Sequence, residues 1–329
     1  MLSQRLSLAL KSSAVLLPEE GQIAVIGARA NDDLDDLPKG RVEVVQRHFP
    51  DHAHFQNAGY SVSTSVGGPY TMSIVALPRA KAEARQALAQ AALATDGALI
   101  VDGQKTDGID SVLKAARLAG DVGEVISKAH GKLFVVNDAD FSAWIDVPRD
   151  KVANRFTTAP GVFSADAIDP GSEALAAALP ANFAGRVVDL GAGWGYLSDA
   201  ILRRDGVSHI DLVEADFAAL DAARQNISDS RAEFHWADAR DWRPDGPVDH
   251  VVSNPPFHRG RAADASLGQA FIRSAARILG PKGQLWLVAN RQLPYEQTLE
   301  DAFHTVQSLG QNSSFKTFLA RSPRRRRIG

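Results

Sequence analysis

The sequence predicts an α/β protein made of two halves of similar size, each with a mainly parallel sheet, which suggests a duplicated fold. Two observations carry this expectation. Short apolar runs alternate with segments of helical spacing along both halves. A chain of 329 residues with 45% hydrophobic content also fits two cores better than one.

The N-terminal stretch 1–17 is apolar but interrupted by Arg5 and Lys11, and no small-residue cleavage site follows, so it reads as an amphipathic helix rather than a secretory signal. In the first half, residues 23–26, 73–77, 98–101 and 133–136 are apolar runs suited to buried strands, and 79–93 is rich in Ala, Lys, Glu and Gln at helical spacing. Val147-Pro148-Arg149-Asp150 carries turn chemistry and marks the expected boundary, giving domains 1–150 and 151–329. In the second half, 186–190, 209–213, 248–252 and 284–288 are strand candidates, with helices expected at 196–203, 218–226 and 269–279.

Composition narrows the function classes. With no cysteine, the chain has no disulfides, thiolate zinc sites or thiol nucleophile, and it fits a reducing, cytoplasmic setting. No apolar run is long enough to suggest a membrane span. The net charge of −3 means that the molecule as a whole is no cationic polyanion binder. A local patch would be needed, and the run Arg321-Ser322-Pro323-Arg324-Arg325-Arg326-Arg327, preceded by Lys316, offers one. A solvated, disordered end accounts for that run equally well.

Val187-Val188-Asp189-Leu190-Gly191-Ala192-Gly193-Trp194-Gly195-Tyr196 reads as a buried strand, a glycine-rich turn and a helix start. Gly191 and Gly193 let backbone approach a ligand, and Asp189 can accept hydrogen bonds from hydroxyls or an ammonium group. A dinucleotide fingerprint would need its third glycine at position 196, which is Tyr196, so the spacing argues against NAD. Glu214 closes the next strand, where a carboxylate could bind ribose hydroxyls, and Asp238 stands at the expected end of a third strand, where it could accept from an adenine amine. Helix capping is the competing reading for both acids.

The most informative stretch is Asp249-His250-Val251-Val252-Ser253-Asn254-Pro255-Pro256-Phe257. A strand is expected to end at Ser253, after which Pro255 and Pro256 stiffen a loop at the carboxyl edge of the sheet. The Asn254 side-chain oxygen and the Pro255 carbonyl are acceptors that could hold both hydrogens of an exocyclic amine. Phe257 would stack on the base, a contact worth about 1–3 kcal/mol in single-stranded recognition. Arg259 and Arg261 beside it are candidate RNA contacts. The scheme requires no metal.

Asn254-Pro255-Pro256-Phe257 with the glycine loop resembles class I amino-methyltransferases. Gly161-Val162-Phe163-Ser164, Asp169-Pro170-Gly171-Ser172, His258, Val288-Ala289-Asn290 and Leu293-Pro294-Tyr295 bring the likeness closer to ribosomal RNA guanine-N2 methyltransferases, the small-subunit (16S) enzymes first and the large-subunit (23S) ones second. That resemblance spans nearly all of 155–321. It implies two tandem class I methyltransferase (Rossmann-like) domains, the N-terminal one degenerate and serving substrate binding or stability. The run Ile26-Gly27-Ala28-Arg29 lacks the repeated glycines, in keeping with that.

By position, the resemblance implies that Phe163, Ser164, Asp189, Gly191, Gly193, Glu214, Asp238 and Asn254 bind S-adenosylmethionine, with Phe163 and Ser164 over its methionine end. Asn254, Pro255, Pro256 and Phe257 would handle the target amine. The expected partner is ribosomal RNA or the small ribosomal subunit, with no membrane and, by default, a monomer. The absent thiol rules out methylation of carbon 5 of cytosine, which needs a covalent thiolate. Adenine N6, a 23S guanine or protein glutamine remain open as acceptors, as does a non-catalytic RNA-binding assembly factor.

Overall fold

A computed structural model describes residues 2–145, 149–256, 258–259, 262–263 and 265–324, with side chains left aside at 258, 259, 262 and 263. The chain divides into two compact units, Met1–Asp150 and Lys151–Gly329. The Val147 and Pro148 part of the expected boundary lies outside the described residues.

The first unit opens with α1 (Leu2–Lys11), β1 (Ile23–Ile26), β2 (Val42–Val45), α2 (Phe49–Asn57), β3 (Ser61–Ser63) and β4 (Tyr70–Ala76). It continues through α3 (Lys81–Leu93), β5 (Thr95–Gln104), α4 (Ile109–Ala119), β6 (Asp121–Lys128) and β7 (Gly131–Asn137). Its seven strands lie in the order β3-β2-β1-β4-β5-β7-β6. The first five are parallel, and β7 and β6 are antiparallel additions. β1 is buried at every residue, as expected of a central strand covered on both faces. α1 presents Leu2, Leu6 and Ala9 to the core and buries Arg5, whose guanidinium grips Asp102 at 2.6 and 2.8 Å.

The second unit begins with α5 (Pro170–Ala178), β8 (Gly185–Leu190), α6 (Tyr196–Leu202), β9 (Val207–Glu214), α7 (Phe217–Asn226), β10 (Ala232–Trp236) and β11 (Val248–Ser253). A short hairpin, β12 (His258–Arg259) and β13 (Ala262–Ala263), precedes α8 (Ala265–Ile278) and β14 (Leu279–Asn290). α9 (Glu296–Ala302), β15 (Phe303–Gln311) and β16 (Phe315–Pro323) complete it. Its main sheet runs β10-β9-β8-β11-β14-β16-β15, the same connectivity as the first unit, again with five parallel strands and an antiparallel pair at one edge. α8 turns Phe271, Ile272 and Ala275 onto one face of that sheet. α5 and α6 pack Leu175, Leu197 and Ile201 on the other. Each fully buried aliphatic side chain of this kind contributes about 1.5–3 kcal/mol. Among the described residues no helix is long and apolar enough to cross a membrane.

Candidate functional site

The site lies at the carboxyl end of β8, β9 and β11. Gly191, Gly193 and Gly195 all adopt positive φ, at +77°, +55° and +92°, a backbone region that glycine enters without a Cβ clash. A Cβ at Gly195 would meet Ile227 at 2.8 Å, whereas one at Gly193 would meet nothing within 4 Å. Gly195 therefore serves close packing and Gly193 faces open space. The turn is further held by Gly191 N–H, which donates to the Val213 carbonyl at 2.9 Å.

Glu214 terminates β9 against this turn. One carboxylate oxygen accepts from Gly193 N–H at 2.8 Å and the other from Asp216 N–H at 2.8 Å. A carboxylate has about four acceptor positions, so each oxygen keeps capacity for a hydroxyl. Burial pushes its pKa up, and the two backbone N–H groups oppose that shift. Asp189, fully buried in β8, accepts from Ser198 Oγ at 2.7 Å through Oδ2, while Oδ1 has no hydrogen-bond partner. Burial raises its pKa to about 7, with the Ser198 hydrogen bond opposing and the Glu214 charge adding to the rise. An orphaned buried acceptor under a glycine turn is suited to an ammonium donor, and the open space at Gly193 suits a ligand that lies against backbone.

β11 runs beside β8 in parallel register, pairing Val252 with Asp189. Ser253 Oγ donates to the Leu190 carbonyl at 2.7 Å, tying the two strand ends together. Asn254 therefore emerges next to the glycine turn. Its Nδ2 donates to Asp169 Oδ2 at 2.8 Å and to Ser172 Oγ at 2.9 Å. A carboxylate only accepts, so Asp169 dictates which end of the amide faces it and leaves Asn254 Oδ1 as the outward acceptor. Asp169 is also the N-cap of α5, accepting from Ser172 N–H at 2.7 Å. No backbone N–H among the described residues bonds the Pro255 carbonyl.

Residues 152–168 pack on the turn. Val152, Phe156 and Val162 cluster with Trp194 and with Ala219 and Ala222 of α7. Trp194 Nε1 donates to the Phe163 carbonyl at 3.1 Å, and Asn226 Nδ2 donates to both the Thr157 and Trp194 carbonyls at 2.9 Å. Phe163 stays 52% exposed and Ser164 has φ +51°.

Asp189, Gly191, Gly193, Glu214 and Asn254 thus share one strand-end rim, with the Phe163 backbone fastened to it. Asp238 lies two residues beyond β10, where its carboxylate is engaged by the Arg240 guanidinium at 2.9 Å. Pro255 is buried and Pro256 exposed, whereas Phe257, Arg261 and the Arg259 side chain lie outside the described residues. So do Arg325, Arg326 and Arg327 of the tail. Sequence alone did not single out Ser198 and Asn226, and it offered Asp169 and Ser172 without a role. Asp-Pro-Gly-Ser is a helix-start signal that could have suggested it.

A profile of the Methyltransferase small domain family matches residues 153–319. The chain belongs to the Methyltransferase small domain family. Among relatives, the ribosomal RNA small subunit methyltransferase C of Hahella chejuensis is 32% identical over 234 residues, covering 66% of this chain and 67% of that protein. The Pseudomonas aeruginosa protein of the same name is 28% identical and covers 91% of this chain and 94% of its own. Among solved structures, the T. thermophilus 16S rRNA N2 methyltransferase in complex with AdoMet and guanosine superposes with a TM-score of 0.79 at 25% identity, covering 93% of this chain and 90% of that one. The second unit is thus a Methyltransferase small domain, and the tandem architecture expected from the sequence is present as two sheets in the same strand order.

Proposed function

We propose that the C-terminal unit transfers a methyl group from S-adenosylmethionine to the exocyclic N2 of a guanine in small-subunit ribosomal RNA. The observation that carries this reading is the locked amide of Asn254, whose acceptor faces outward beside the open backbone of Gly193. The relatives' names and the AdoMet and guanosine bound to the T. thermophilus protein support the choice of donor and acceptor.

S-adenosylmethionine supplies an electrophilic methyl group on a sulfonium centre. Glu214 would hold the ribose hydroxyls with the acceptor capacity its backbone bonds leave, and Asp189 Oδ1 would take an ammonium hydrogen. Asp238, whose carboxylate already accepts from the Arg240 backbone N–H and guanidinium, would take an adenine amine only by exchanging one of those bonds. Asn254 Oδ1 and the Pro255 carbonyl each accept one N–H hydrogen of the guanine amine, which aims the nitrogen lone pair along the glycine rim. Orientation of this kind supplies up to roughly 7–11 kcal/mol for well-placed reactants. Phe257 stacks on the unpaired or flipped base, and Arg259 and Arg261 contact the RNA backbone. The N-terminal unit serves RNA binding or stability, and the chain acts as a monomer in the cytoplasm.

Nucleoside mass spectrometry of small-subunit ribosomal RNA from cells lacking the gene tests this reading. The expected result is loss of one N2-methylguanosine, restored by the purified chain with S-adenosylmethionine. Loss of N6-methyladenosine instead would replace the acceptor, loss of a methylated glutamine in mass spectrometry of peptides from the same cells would move it to protein, and no change in either would favour an assembly factor.

A further inference from the structure

Four metal-ligand side chains gather on one face of the second unit's sheet. They come from two adjacent strands. His209-Ile210-Asp211 lies in β9 and Glu233-Phe234-His235 in β10, and the sheet register pairs Asp211 with Glu233. Because strand side chains alternate, the spacing of two puts all four on the same face.

Their donor atoms converge. His209 Nε2 lies 3.1 Å and His235 Nε2 2.8 Å from the same oxygen, Asp211 Oδ1. Glu233 closes the group, with Oε2 3.7 Å from His209 Nε2 and Oε1 4.0 Å from His235 Nε2. The donors of His209, Asp211 and Glu233 all lie within 4.8 Å of one another. A tetrahedral zinc ion with arms of about 2.0–2.2 Å has ligand-to-ligand edges of about 3.3–3.6 Å. The 3.1 Å from His209 to Asp211 and the 3.7 Å from His209 to Glu233 straddle that range, while His235 stands outside the convergent trio, next to Asp211 and the other Glu233 oxygen. Asp211 is 1% exposed, and Arg186 holds its other oxygen at 3.0 and 3.2 Å, which aims Oδ1 at the histidines. Two carboxylates against one guanidinium leave the cluster net negative, and Glu233, 59% exposed, opens it to solvent.

We propose that His209, Asp211 and Glu233, with His235 as fourth donor, form a binding site for a zinc-class divalent ion that pins edge strand β10 to β9. Imidazole and carboxylate donors in a tetrahedral spread favour zinc over magnesium or calcium. Coordination needs the lone pair of each Nε2, so both rings carry their proton on Nδ1 in the metal-bound form. The ion touches nothing in the methyl-transfer scheme. Its place is structural, stiffening the strand that leads to Asp238.

The test uses tag-free full-length protein stripped with a chelator, titrated with zinc by calorimetry and with cobalt by visible absorption. The expected result is one ion per chain, a rise in melting temperature, an intense tetrahedral cobalt band, and unchanged methyl transfer. Glu233→Gln and His209→Gln should each weaken zinc at least about tenfold while leaving the metal-free melting temperature within a degree or two of the parent. Absence of one-to-one binding, or equal binding by parent and both variants, would overturn the proposal and leave the cluster held by protons alone.

Discussion

The two sheets share a strand order, yet only the second carries a glycine turn flanked by Asp189, Glu214 and the amide of Asn254, and the contrast can be followed residue by residue. Gly27 and Gly191 occupy the same place, each at φ +77° and each donating its N–H to a carbonyl near the end of the neighbouring strand, Val45 at 3.0 Å or Val213 at 2.9 Å. The register then aligns Val25 with Asp189, Gln46 with Glu214 and Ala76 with Asn254. Gln46 still accepts from an N–H two residues on, that of His48, as Glu214 does from Asp216. Its other end reverses polarity, because Nε2 donates to the Ala28 carbonyl at 2.6 Å where Glu214 accepts from Gly193. A Cβ at Gly27 would strike the Ala76 carbonyl at 2.7 Å, whereas one at Gly191 would meet the Phe271 ring at 3.1 Å. The sheet connectivity persists without any of the groups that make a nucleoside site. Fold and chemistry are held by different residues.

The largest effect expected from breaking this contrast is at Asn254. Asn254→Ala, which copies Ala76, should lower kcat by about a hundredfold or more with cofactor affinity intact by calorimetry. The converse change Ala76→Asn should create no activity. Next is Glu214→Gln, which copies Gln46. Hydrogen bonds to a charged acceptor contribute about 1.5–3 kcal/mol, so cofactor affinity should fall about tenfold to a hundredfold. The parent chain should titrate with one site, and a second would erase the asymmetry between the units.

A smaller effect is expected of Asp169→Asn. Asn caps helices about as well as Asp, so stability should hold, but its amide can present either end to Asn254 and kcat should drop about tenfold. Retained kcat would show that the amide is set by Ser172 alone. The smallest effect concerns Asp189. Its carboxyl titrates near 7 in the fold against the ordinary 3.8, so the native state holds that proton more tightly than the unfolded chain does. Its contribution to stability is full below about pH 4 and is lost as pH rises through about 7. Cofactor-free parent protein should therefore lose melting temperature relative to Asp189→Asn between pH 5 and 8, and parallel curves would contradict the assignment.

The central strands were legible because β1, β4, β8, β9, β11 and β14 are buried on both faces and read as apolar runs. The edges were not. β6 and β15 expose most of their residues and carry polar sequence, and β3 is three residues long. β7 was legible as the run 133–136, but its partner β6 was not, and neither β15 nor β16 was, so the antiparallel pairs that make both sheets mixed did not show. In the site, glycines and prolines betray special backbone, so the turn and Asn254 could be found from sequence. Asp169 could not be assigned, since its partner lies 85 residues away and only the folded register brings them together. Ser198 and Asn226 are ordinary helix residues until the strand end and the Trp194 carbonyl lie beside them.

One oxygen, Asp169 Oδ2, both starts helix α5 and receives the Asn254 amide. Local melting of that first helical turn would release the amide to rotate and present a donor where an acceptor is needed. Under the proposed reaction, the base pocket would depend on the integrity of a single helix end, so anything that loosens residues 169–172 should alter turnover without touching the reacting atoms.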